Sequence, residues 1–184
     1  YEGVSLQQIA DAVGLHKSSL FHHYRGKLEL AKEVFEAVVA RVVERVRPLE
    51  RDEPPRLDTL LAVTDDLVDH FAAEPGAARL ILSVMIAPRD SDLNYPISLE
   101  DTRHPVVEVQ TILWRWLDRA RRQGVIRPAN LRQALFNLYG LVLLYPAVAE
   151  EHSTVAGPEP FSAKARRVRK DELRLLLRGA LAPR

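Results

Sequence analysis

Apolar residues recur along this chain at helical spacing, and no stretch alternates Val, Ile, Thr and aromatic residues between tight hairpin turns. That periodicity predicts an all-α fold. Leu6, Ile9, Ala10 and Val13 stand at i, i+3, i+4 and i+7 behind Ser5, a good N-cap, and Gly14 supplies the stop. A second short helix is expected over about 17–24, with Leu20 and Tyr24 one turn apart facing inward. Gly26 then caps a longer helix with Glu29 at its third position. Its stripe of Leu28, Ala31, Val34, Phe35, Val38, Val42 and Val46 runs to about Arg47, where Pro48 ends it.

Residues 48–56 are polar and proline-rich and read as a connector, which divides the chain into an N-terminal unit (1–47) and a larger C-terminal one (48–184). Further helices are expected over about 57–73, 75–87, 105–123, 131–150 and 163–182, with loops over 88–103 and 152–162. The helix that Asn130 caps has almost no polar face, so its pattern predicts burial on all sides. The last helix carries Leu173, Leu176, Leu177, Ala180 and Leu181 on one side. No internal repeat interrupts the pattern.

Composition narrows the chemistry. The chain is 184 residues long, 47% hydrophobic and 28% charged, which excludes collagen-like and disordered readings. It has no cysteine, which excludes disulfide staples, zinc ribbons and thiol nucleophiles. No apolar run reaches the roughly 18 residues of a membrane span. The start lacks a basic-then-apolar signal pattern and an initiator Met, so the expectation is a cytoplasmic protein whose sequence begins inside a longer product. The net charge of +1 conceals a distribution: +1 over residues 1–47, −6 over 48–162 and +6 over 163–184.

Two short helices joined by a tight turn, the second rich in small polar and basic residues, make a helix-turn-helix candidate over 5–24. Ala10 is small where the second helix would cross, Gly14 can turn left-handed, and Ile9, Val13, Leu15 and Leu20 are expected to close the small core. Lys17, Ser18, Ser19, Phe21, His22 and His23 then face outward, as donors or as thymine-methyl contacts in a major groove. Lys27 opens the next helix, where its ammonium and the free backbone N–H groups suit a phosphate. The blander alternative is an ordinary helical hairpin with polar outer faces.

The run SLQQIADAVGLHKSSLFHHYRGKLEL, and residues 3–35 as a whole, resembles the DNA-binding signature of the TetR family of transcriptional regulators. Beyond it the likeness is one of helical pattern only. The resemblance implies a homodimer that binds a short, approximately palindromic double-stranded operator, usually as a repressor, and that a small molecule releases. It places Ser19, Phe21 and His23 toward the groove, Lys17 near bases or backbone, and Lys27 on phosphate, with His22 and Tyr24 as further phosphate candidates. The sequence departs from the family pattern at three positions. His16 stands where Ser or Thr usually caps, Ser18 replaces a frequent Gly, and Phe21 replaces a frequent Tyr. The family's first helix would lie upstream of Tyr1, so the DNA-binding unit is expected to be incomplete over the residues given.

Other features weigh less. His16, His22 and His23 suggest a metal, but adjacent helical histidines diverge by about 100°, so no metal or other cofactor is expected. The basic run 164–170 reads as a solvated face that balances the acidic middle segment. Trp114 and Trp116, two apart, cannot share a helix face. Phe71, Met85, Tyr95, Trp114, Phe136 and Tyr139 are candidates to line a pocket for a small, largely apolar effector, with His70 and Gln110 as polar anchors. Helices near 131–149 and 164–182 are the expected homodimer surface. No glycine-rich phosphate loop, HExxH or GxSxG is present, so an enzyme is not expected. An effector-free DNA-binding protein remains the other reading, and an apolar pocket within 57–150 would separate the two.

Overall fold

Capping chemistry sets where the first helix begins. The structure, a computed structural model, describes residues 3–88, 91, 103–127 and 130–183, with the Lys17 side chain outside this set. Ser5 Oγ accepts the Gln8 N–H at 3.2 Å while Gln8 Oε1 accepts the Ser5 N–H at 2.8 Å, a reciprocal capping box that opens α1 (Leu6–Ala12). Gly14, at φ +69°, closes it. The Leu15 N–H donates to the Ala10 carbonyl at 2.9 Å and the Gly14 N–H to Asp11 at 3.2 Å, the paired bonds of a Schellman turn. There follow α2 (Lys17–His23), α3 (Lys27–Val46), a 3-10 turn (Arg47–Leu49), α4 (Leu57–Ala73), α5 (Pro75–Met85), α6 (Pro105–Arg122), α7 (Leu131–Val148), α8 (Ser153–Ala156) and α9 (Ala163–Leu181). The described residues contain no strand, so the fold is all-α.

The molecule has two packing regimes. One apolar cluster runs from Phe35 on α3 through α4, α5, α6 and α7 to Leu181 on α9. Leu6, Ala10 and Leu20 are also buried but lie outside it, as the separate small core of the α1–α2 hairpin. α3 belongs to both. None of its residues from Lys27 to Val34 is buried, whereas Phe35, Val38, Val39, Val42, Val43 and Val46 are. The buried face is wider than the single stripe read from the sequence because α4 and α6 both pack on this half of the helix. Val34, expected in that stripe, is exposed.

The hairpin core is also smaller than expected. Val13 is 61% exposed and Leu15 is exposed, because Val13 is the C-cap and the left-handed Gly14 carries the chain away from the α1 stripe. Ile9 is half-buried.

The polar connector is pinned rather than loose. Leu49 is fully buried and its carbonyl accepts Arg119 at 2.8 Å. Asp52 is buried as well. It accepts the Trp116 indole N–H at 2.9 Å, the Arg56 backbone N–H at 2.7 Å and the Thr59 hydroxyl at 2.8 Å. Burial alone would raise this carboxyl. The hydrogen bonds from Trp116, Arg56 and Thr59 together outweigh it and hold the group below its ordinary value. Trp116, fully buried, and Trp114, 42% exposed, part as their spacing requires.

α7 is not buried on all sides. Phe136, 59% exposed, and Leu144 stand outward with Gly140 between them, since α4, α5 and α6 cover only the other side. On α9, Leu173, Leu177 and Leu181 are buried, while Leu176 and Ala180 turn outward with Val168 and Leu175. The basic run of α9 is matched by α4: Arg166 and Lys170 pair with Asp69, Arg174 with Asp65 and Arg178 with Asp58. The first three pairs are partly buried, whereas Arg178–Asp58 is exposed and contributes under about 1 kcal/mol.

Candidate functional site

The residues singled out for DNA lie on α2 and at its junction with α3. Leu20 is buried under the hairpin, which turns Ser18, Phe21, His22 and His23 to solvent and leaves Ser19 half-exposed. A helix presenting hydroxyls, imidazoles and one apolar ring at this spacing offers both donors and a methyl-contacting surface to base edges. His16 takes the extended N-cap backbone conformation, but its side chain makes no capping bond. The first N–H groups of α2 are therefore not satisfied by a side-chain cap, unlike those of α1.

The junction carries charge of both signs. Glu29 Oε2 accepts the Arg25 N–H at 2.6 Å, one residue before the Gly26 cap, and Lys27 is the first residue of α3. The Tyr24 hydroxyl donates to Glu33 Oε1 at 3.2 Å. Partial burial and that carboxylate raise the Tyr24 phenol, so it stays protonated. A phosphate reaching Tyr24 would have to compete with Glu33. Among the described residues, no group of three or more His, Asp or Glu is placed to hold a metal ion. No helix among them is long and apolar enough to cross a membrane.

A second site lies deeper. A cavity of about 380 Å³ opens between α3, α4, α5, α6 and α7. Of the pocket candidates, Phe71, Met85, Gln110 and Tyr139 line it. Three others do not. Trp114 and Phe136 point outward from α6 and α7, and His70, though only 5% exposed, packs beside Phe71 away from the cavity. Tyr95 lies outside the described residues. The helical pattern alone could not fix these rotations, because α6 and α7 both carry aromatic residues on more than one face.

The wall contributed by α3 was missed in the sequence. Phe35, Val39, Val42 and Val46 all line the cavity. The signal was present in the doubled pairs Val38-Val39 and Val42-Val43, which make one helix apolar over two adjoining faces. The helix that begins beside the residues singled out for DNA thus ends as a cavity wall.

Residues 1–34 match the family model for bacterial regulatory proteins of the tetR family. No curated protein matches the chain.

Proposed function

With this chain a DNA-binding transcriptional regulator of the TetR family, we propose that it acts as a dimeric repressor that a small, largely apolar effector releases from its operator. Ser19, Phe21, His23 and Lys17 supply base preference in this reading. Lys17 and Lys27 supply salt-sensitive contacts to the phosphate backbone, joined by His22 and Tyr24. Residues 1–47 form the DNA-binding part, whose α3 also supplies one wall of the effector cavity, and 48–184 form the rest of the effector and dimer part.

The observation that carries the reading is the course of α3, from Lys27 at the hairpin to Phe35, Val39, Val42 and Val46 in the cavity wall. A molecule that fills the cavity touches the helix on which the hairpin is mounted. If it binds better where α3 is displaced, it shifts the population away from the DNA-competent spacing by that difference in affinity. The cavity also favours ligand control over the effector-free reading, for which a solid core would be expected.

Dimerisation through α7 and α9 is supported by Phe136, Leu144, Val168, Leu175 and Leu176, five large apolar side chains left exposed on these helices in a single chain. Two recognition helices held about 34–36 Å apart would meet successive major grooves on one side of the duplex. Hydroxyl-radical footprinting of the full-length protein on its own upstream DNA tests this. Two protected patches about one helical turn apart on one face are expected. A single patch, or uniform protection, would overturn the dimeric reading.

A further inference from the structure

Building on the effector reading above, we infer that the cavity takes an uncharged lipophilic molecule bearing one hydroxyl or carbonyl oxygen, held by the Gln110 carboxamide and the Tyr139 hydroxyl. Twenty described residues line the space and none of them carries a charge. Only Thr64, Gln110 and Tyr139 are polar. Thr64 is already satisfied, since its hydroxyl donates to the Leu60 carbonyl at 2.9 Å and leaves its methyl for the cavity. Gln110 and Tyr139, on α6 and α7, have no hydrogen-bond partner among the described residues. Tyr139 lines the cavity, and burial alone pushes its phenol up to about 12, so it is a neutral group that can both donate and accept.

These groups define what can enter. A carboxylate or an ammonium would give up its hydration with no counter-charge among the described residues of the wall, which a buried ion does not tolerate. A hydrocarbon gains from contact with the Val, Leu, Ile and Phe side chains that make up most of the lining, and an oxygen on it can pair with Gln110 or Tyr139. The volume lies near the lower end of the roughly 300–1,000 Å³ usual for small-molecule sites. A medium-length chain or a compact ring system fits that size better than a large polycyclic or a nucleotide.

Three molecules of equal length that differ only in the head group separate these possibilities. Displacement of the neutral fluorophore N-phenyl-1-naphthylamine from the DNA-free, full-length protein at pH 7.5 would be followed with 1-decanol, decanoate and decylammonium. Decanol should displace it at a concentration at least tenfold lower than either ion. Gln110→Leu and Tyr139→Phe should each weaken decanol about three- to tenfold, the range for one buried hydrogen bond, and leave naphthalene binding unchanged. Circular dichroism checks that both variants fold, and the wild-type series stands without them. Equal or tighter binding of decanoate or decylammonium overturns the assignment, as does failure of all three to displace the fluorophore. Adding upstream DNA separates this assignment from the effector reading. Decanol that binds but leaves the DNA complex intact overturns that reading alone, whereas tight binding and release by decanoate overturn only the uncharged class.

Discussion

The α1–α2 hairpin and the cavity bundle are built from the same helical repeat but held in opposite ways. The hairpin buries Leu6, Ala10 and Leu20 and keeps most of its surface, including Val13, Leu15 and Phe21, in solvent. The bundle buries a continuous cluster and a polar clamp at Asp52, yet leaves a cavity at its centre. The difference teaches where each part spends its apolar residues. The hairpin has just enough core to fix the exposed face of α2, and the bundle has enough to keep a cavity at its centre. α3 joins the two, exposed at one end and walled in at the other.

The sharpest way to break this comparison is to damage each core separately. Trp116→Ala removes a fully buried ring and the donor to Asp52, and should lower global stability by about 3–5 kcal/mol in urea denaturation. Leu20→Ala should instead abolish DNA binding while shifting the main unfolding transition by less than about 1 kcal/mol, since Leu20 lies outside the main cluster. A large loss of global stability from Leu20→Ala would show that the two cores are one.

Asp52 gives the next largest effect. Asp52→Ala leaves the Trp116, Thr59 and Arg56 donors without their acceptor and should cost about 2–4 kcal/mol. Its folded carboxyl lies below the unfolded value, so its contribution is fully present above about pH 4 and lost as pH falls through the folded value. Asp52→Asn should flatten that acid limb, which denaturation followed at a series of pH values would reveal.

At the proposed DNA face the expected effects are on affinity. Lys27→Ala should weaken binding about equally to all sequences and reduce the salt slope by about one, whereas Ser19→Ala should relax sequence preference by about 1–3 kcal/mol at the affected position. Anisotropy titrations over a range of salt and a panel of sites distinguish the two.

The smallest effect concerns His70. Burial first, then the nearby Arg45, lower its imidazole pKa, and its Nε2 has no hydrogen-bond partner among the described residues. The neutral form is therefore the folded form. Stability should be full above about pH 6.5 and decline modestly as pH falls toward the lowered folded value. His70→Leu should remove that decline, and thermal melts between pH 7.5 and 5.5 would detect it.

How much of this was legible in the sequence depended on whether local chemistry or tertiary packing decided the outcome. Ser5, Gly14, Gly26 and Asn130 marked helix ends correctly because caps act within one turn. The outward set Ser18, Phe21, His22 and His23 followed from placing Leu20 inside. The buried Asp52 was not readable, because an Asp among prolines looks solvated until Trp116, sixty-four residues later, donates to it. The rotations of Trp114 and Phe136 were equally out of reach, since their neighbours on α6 and α7 are apolar on several sides. The bare face of α7 reads in the sequence as simple burial, and only the packed chain shows which side is left open.

The central claim is that α2 reads a specific sequence. Competition anisotropy with the full-length protein, a labelled fragment of its upstream DNA and a scrambled competitor of equal length tests it at about 150 mM salt. The account predicts at least a thousandfold preference for the upstream fragment, lost in a Ser19→Ala, His23→Ala double variant that still folds. Equal affinity for the upstream and scrambled DNA would contradict it.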